Sequence, residues 1–235
     1  MPIILPVSGN GRNGWRTDPL YTIGESARLA QVHPVTVRRW LYGEEIPSRQ
    51  IQPVLGKSLK ASERPIEVSF LQLAEIVIVS RFRKKGIPLQ RLRKAHKYAR
   101  DTWQLEYPFA RLSLETDGVR VLRRFEEAEP GASLLVLAAE SGQWALPQYV
   151  TEAIETFDFL DDLASRWFPI GKSVPIVIDP RYSAGVPTIP GRRVTIQAIR
   201  KRWTAGQRIR FIAADLKVAH DLIEEALRYA ERVAA

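Results

Sequence analysis

The stretch YTIGESARLA at residues 21–30, followed by QVHPVTVRRWL at 31–41, decides how the front of this chain is read. From Ile23 the apolar spacing predicts a short helix to about Ala30. Gln31 to His33 then makes a turn, and Pro34 opens a second helix to about Leu41. Proline is tolerated in a first helical turn, where its missing N–H would have no partner anyway. Two helices that cross closely need a small residue inside the first, and Ala27 supplies it; Ile23, Val32, Val37 and Trp40 are spaced to lock the second. Val35, Thr36, Arg38 and Arg39 are left facing outward. Arginine bonds guanine O6 and N7 in a fork, and threonine meets a phosphate or a thymine methyl, so these four side chains suit the major groove of duplex DNA.

Downstream, Gly43 to Glu67 holds Gly43, Pro47, Pro53, Gly56 and Pro65 among short apolar runs, which predicts a small hairpin wing rather than a helix. Arg49, Lys57 and Lys60 on or near it are candidates for flanking phosphates, and Arg64 lies beside them. Ser69 is placed to cap a helix through about Lys85 with Phe70, Leu73, Ala74, Val77 and Phe82 as its inward stripe, stopped by Gly86 and Pro88. A further helix from Pro88 to about Gln104 turns Leu89, Leu92, His96, Ala99 and Trp103 inward and covers its other faces with Arg91, Arg93, Lys94, Lys97 and Arg100. Upstream, the glycine-rich residues 1–19 read as a flexible arm whose Arg12 and Arg16 are able to follow a groove.

The helix pair, together with SFLQL at 69–73 and RKKGIPLQ at 83–90, resembles the MerR family of transcription regulators over Tyr21 to Trp103. The resemblance implies a winged helix-turn-helix at residues 20–104 that binds double-stranded operator DNA as a symmetric dimer. One departure is Gln31, where many such turns carry glycine. A left-handed backbone there costs a residue with a side chain about 1 kcal/mol or more, so a remodelled turn is expected.

Residues 105–175 read as a small β-rich segment, with strands at Ala110–Glu115, Val119–Phe125 and Ser133–Ala138, then a helix over Pro147–Phe157. Asp158, Asp161 and Asp162 read as a solvated acidic loop. Over 176–235 a strand at Ile176–Ile178 and a turn-rich stretch to Arg193 lead into helices at about Thr195–Thr204, Ile209–Ala214 and Ala219–Ala234. The last helices make a second helix-turn-helix candidate, yet Asp221, Glu224, Glu225 and Glu231 would repel phosphate. A partner or dimer contact through Arg200, Arg202, Trp203, Leu222, Ile223 and Leu227 is therefore expected. DPRYSAGVP at 179–187 and IPGRRV at 189–194 resemble the domain of unknown function numbered four-three-three, a family associated with antitoxins that stand beside PIN-like ribonuclease toxins. Arg192 departs from it where threonine is frequent. A MerR-like front joined to this domain looks like VapB-type antitoxins. No internal repeat of fixed period is evident.

Charge is unevenly spread in this 235-residue chain of net charge +9. Residues 1–104 carry 18 Lys+Arg against 8 Asp+Glu (net +10), 105–178 carry 6 against 12 (net −6), and 179–235 carry 11 against 6 (net +5). Segments of opposite sign imply different partners. With no cysteine there is no disulfide, thiolate metal site or cysteine nucleophile. No apolar run approaches the eighteen or so residues of a membrane span, and a cytoplasmic protein is expected. His33, His96 and His220 are scattered, and only His220 with Glu224 has metal-compatible spacing, so no metal, cofactor or enzymatic activity is expected. The fold class expected is α+β, mainly helical, with a winged front, a small β-containing middle and a three-helix C-terminal domain. The function expected is a DNA-binding antitoxin that neutralises a PIN-like toxin and represses its own operon. The alternative is a stand-alone regulator whose Trp144, Tyr149, Phe157 and Phe159 line an effector pocket.

Overall fold

The computed structural model describes residues 14–46, 49–56, 67–111, 136–137, 144–145 and 148–234. The chain divides into two units, one of Met1–Glu155 with Phe159–Ala164 and one of Thr156–Asp158 with Ser165–Ala235.

In the first unit, α1 (Gly14–Thr17) precedes β1 (Pro19–Thr22), α2 (Ile23–Ala30) and α3 (Pro34–Tyr42). The hairpin β2 (Glu44–Ile46) and β3 (Arg49–Ile51) follows, then β4 (Glu67–Ser69), α4 (Phe70–Lys84) and α5 (Leu89–Trp103). β1 pairs antiparallel with β4, and β2 with β3. Farther on, β5 (Val136–Leu137) pairs with β6 (Trp144–Ala145), and α6 spans Gln148–Glu155. The strands expected over Val119–Phe125 lie outside the described residues.

Ser69 caps α4 as anticipated, accepting from Gln72 N at 3.3 Å while Gln72 Oε1 accepts from Ser69 N at 2.9 Å. The expected single stripe on α4 is corrected, because Leu71, Ile76, Ile78 and Val79 are buried as fully as Phe70 and Leu73. A helix apolar all round must be enclosed. β1, β4, α1, α2, α6 and the 3₁₀ turn Pro108–Ala110 all pack on α4. Its one buried acid, Glu75, accepts from Phe109 N at 3.2 Å and meets His96 Nε2 of α5 at 3.0 Å.

The expected arm is shorter than residues 1–19. Residues 14–17 are helical, and Arg16 is fully buried with its guanidinium 4.5 Å from the Trp15 ring centre, so it follows no groove. Arg12 lies outside the described residues.

The acidic loop is also corrected. β7 (Phe157–Leu160) and β8 (Leu163–Trp167) form a hairpin, with Asp161 and Asp162 at φ 51° and 68° in its tip. Positive φ at both central residues is what a tight primed turn demands, and aspartate tolerates it better than most residues. Asp162 pairs with the buried Arg111 at 3.0 Å, and Asp158 with Arg166 at 2.5 Å and Lys172 at 2.9 Å. Partial burial pushes the Asp158 carboxyl up, but the Lys172 and Arg166 hydrogen bonds and charges outweigh it and hold it below the ordinary aspartate range.

The second unit begins on that hairpin's base, where Phe157 stacks on Trp167 at 5.9 Å and both are buried. Phe157 is thus core rather than pocket lining. Ile178 bridges Trp167 and Val177 bridges Thr188, extending the strands. β9 (Thr188–Ile189) and β10 (Val194–Thr195) form a small hairpin. Three helices close the unit: α7 (Ile196–Thr204), α8 (Ile209–Leu216) and α9 (His220–Ala234). Ile196, Ile199, Ile212, Ile223, Leu227 and Tyr229 pack with Ile176 and Ile189 in its core. Ile223 and Leu227 are therefore spent on this unit's own interior, at 0% and 7% exposure, and Leu222 leans against the same cluster. Burial leaves Ile223 and Leu227 little surface for the contact expected of them, whereas Leu222 is half-buried.

Candidate nucleic-acid interface

The outward face of α3 is fixed by local devices first. Thr22 closes α2 with a capping box, its Oγ1 accepting from Glu25 N at 3.1 Å while Glu25 Oε2 accepts from Thr22 N at 2.8 Å. At the other end Gln31 adopts the left-handed conformation itself, φ 55° and ψ 50°, and Val32 N donates to Ala27 O at 2.9 Å. The turn is not remodelled around the missing glycine. Lys84 Nζ donates to Gln31 Oε1 at 3.0 Å, a tie that only a side chain at this position permits. His33 caps α3, its Nδ1 accepting from Val35 N at 3.2 Å, and Pro34 follows in the first turn.

Of the lock that the spacing predicted around Ala27, Ile23, Val37 and Trp40 are buried while Val32 is only half-buried, and Ala30 and Leu41 are buried beside them. Val35 is 49% exposed, Arg38 is exposed, and Thr36 and Arg39 are half-buried. The two arginines differ in state. Arg38 has no ion-pair partner among the described residues, whereas Arg39 holds Glu44 of β2 at 2.6 Å through Nη2 and 2.8 Å through Nε. Sequence reasoning treated them alike because Glu44 lies beyond the helix, where helical spacing carries no signal. Behind this face burial pushes the Tyr42 hydroxyl up, and the charge of Arg38 pulls the other way.

The segment after β3 braces the far end of α3. Val54 N and Leu55 N both donate to Trp40 O, at 2.7 and 2.9 Å. From α5, Arg93 Nε donates to Pro53 O at 2.9 Å and Arg100 Nη1 to Gly56 O at 3.3 Å. These two residues had been expected on an open basic face, and instead they staple backbone carbonyls. Burial pushes the Arg93 guanidinium down from its ordinary value. The Arg49 side chain, Lys57, Lys60 and Arg64 lie outside the described residues, so four of the seven expected DNA contacts are placed, all on α3.

The second unit repeats the turn of the first. Lys217, between α8 and α9, is left-handed at φ 51° and ψ 44°, and Val218 N donates to Ala213 O at 3.0 Å. Ala213 and Ile223 are buried where Ala27 and Val37 are, at a constant offset along the chain. The outward positions match in place and not in charge: Asp221, Glu224 and Glu225 stand where the first turn has Val35, Arg38 and Arg39. Arg228 pairs with both Glu224 and Glu225, and His220 lies 3.6 Å from Glu224.

The class that this fold defines is borne out by comparison with known proteins. Residues 19–96 match the family described as "Putative DNA-binding HTH domain", and residues 176–230 match "Protein of unknown function (DUF433)". The chain thus carries a helix-turn-helix DNA-binding domain and a DUF433 domain.

Similarity to whole proteins extends along nearly the full length. A Mycobacterium tuberculosis protein named "Putative antitoxin VapB45" is 29% identical over 226 residues, covering 89% of this chain and 92% of that one. A second protein of the same organism, the uncharacterized Rv2308, is 25% identical over 218 residues, covering 91% and 90%. The crystal structure of Rv2018 from M. tuberculosis superposes with a TM-score of 0.72 at 27% identity, covering 90% of this chain and 99% of that one. Among the described residues no helix is long and apolar enough to cross a membrane.

Proposed function

We propose that this protein is a DNA-binding antitoxin: its front domain binds the operator of its own operon as a homodimer, and its C-terminal domain engages a PIN-like ribonuclease toxin. The observation that carries the reading is the near full-length similarity to a protein named as an antitoxin, in a chain whose helix-turn-helix presents an arginine with no ion-pair partner among the described residues. On this reading the front domain is of the winged, MerR-like kind and spans residues 20–104. Val35, Thr36 and Arg38 meet base edges, Arg39 meets the backbone once released from Glu44, and Arg49, Lys57 and Lys60 neutralise flanking phosphates. The C-terminal domain spans 176–235, and the protein acts by binding rather than by catalysis.

The test is co-expression with the product of the adjacent reading frame. That product alone should arrest growth, this chain should relieve the arrest and co-purify with the product, and the chain should shift its own promoter fragment. A product that neither arrests growth nor associates with this chain refutes the antitoxin half, and an unshifted promoter refutes the repressor half.

A further inference from the structure

The second unit keeps the backbone turn of a DNA reader but puts acids on its reading face, so its cations must serve elsewhere. Four of them lie on α7, α8 and the turn between them. Arg200, Lys201, Arg208 and Arg210 are all exposed, and none has an ion-pair partner among the described residues. The same helices expose two large rings, Trp203 at 42% exposure and Phe211 at 58%, the latter with the Arg210 guanidinium 4.9 Å from its centre. Arg202 of α7 pairs with Asp215 of α8 at 2.6 Å and donates to Gln207 of the intervening turn at 2.7 Å. Beside that link a shallow depression of about 600 Å³ is lined by Arg208, Phe211 and Ala214, among others.

We infer that this α7–α8 face docks an acidic protein surface, with Trp203 and Phe211 as its apolar anchors and the four cations as its rim. The inference rests on the antitoxin reading for the partner's identity, and on the geometry for the surface. Tryptophan and arginine are the residue types that dominate protein interfaces, and a large apolar centre with a polar rim is their usual layout. Exposed rings also form stacking platforms for single-stranded nucleic acid. The near full-length similarity to a protein named as an antitoxin favours a protein partner. A second copy using the same face is disfavoured too, because a two-fold contact would set these cations against themselves.

The experiment measures association of the full-length chain with the adjacent reading frame's product by calorimetry. It compares the parent, Trp203→Ala/Phe211→Ala and Arg200→Glu/Lys201→Glu, with circular dichroism to verify that each variant is folded. Loss of the two rings should weaken association by about thirtyfold or more. The charge reversals should weaken it and flatten its salt dependence, with promoter binding unchanged in both variants. A parent that binds alongside variants that bind equally well overturns the surface and leaves the antitoxin reading standing. A parent that does not bind overturns both. Loss of binding to a labelled single-stranded oligonucleotide, with product binding intact, overturns it in favour of nucleic acid.

Discussion

Replacing Gly56 with alanine tests whether the segment after β3 really seats α3. A Cβ built on Gly56 lies 2.2 Å from the Leu41 carbonyl oxygen and 3.3 Å from its carbon, both backbone atoms. Ordinary contact begins near 3.4 Å, so either the segment or the last turn of α3 must retreat by about 1.2 Å. Neither yields freely. The segment is held by Trp40 O, by Arg93 and by Arg100, and Leu41 is buried. Forcing extra carbon into such packing costs roughly 1 to 3 kcal/mol, which for a unit of this size lowers the melting temperature by roughly 2 to 12 °C. Gly24→Ala is the matched control. It sits inside α2 with nothing nearer than Thr22 Oγ1 at 4.0 Å, and alanine there should gain about 0.5 to 1 kcal/mol. Differential scanning calorimetry on the full chain should show the two variants moving the first unit's transition in opposite directions, with promoter affinity falling only in Gly56→Ala. A Gly56→Ala protein that melts and binds like the parent would refute the claim that this contact positions α3.

Arg38→Ala should weaken promoter binding by roughly 1 to 3 kcal/mol in a titration at fixed salt, and an unchanged affinity removes Arg38 from the reading face. Glu44→Ala frees Arg39 and removes a negative charge beside the DNA, so binding should tighten several-fold and steepen with falling salt; equal binding means Arg39 is not withheld in the free protein. Asp158 titrates lower in the folded chain than in the unfolded one. Its stabilising contribution is therefore full above the ordinary aspartate range and is lost as pH falls through its folded value, so Asp158→Asn should flatten the acid limb of a stability-against-pH curve. A variant with the parent's acid limb would show that the Arg166 and Lys172 pairs contribute nothing.

What the sequence made legible is what short-range chemistry decides. Ser69 as a cap and Pro34 in a first turn each act on a helix start within a few residues, and both appear in the structure. The outward set on α3 was legible for the same reason, because helical spacing alone puts Val37 and Trp40 on the opposite side. Long-range enclosure was not. Nothing near α4 announces that six elements surround it, so only one of its faces was expected inside. The arginines of α5 read as a solvated face because their acceptors, the carbonyls of Pro53 and Gly56, carry no side-chain signal. The hairpin at 157–167 was hidden by its own tip, where two aspartates imitate a loop while supplying the positive φ values that close it.

The two left-handed turns separate what a backbone specifies from what a surface does. At Gln31 and at Lys217 the chain accepts the same conformational cost, about 1 kcal/mol or more each, and recovers it through the same bond back to a buried alanine. The helix that follows buries Val37 in one case and Ile223 in the other, at the same offset from the turn. From that point the outcomes diverge on side-chain charge. Arg38 beside a phosphate chain gains from every counterion released, whereas Glu224 and Glu225 in the same stance would repel the same polyanion. Arg228 pairs with both of those acids and offsets only one of their charges, so with Asp221 the second turn stays negative where the first is positive. A helix-turn-helix is thus a way of presenting a helix, and its outward residues choose the polymer it meets. On the function proposed above, the charge inversion gives DNA to the first turn and leaves four exposed cations of the second unit, on α7, α8 and the turn between them, to an acidic protein partner.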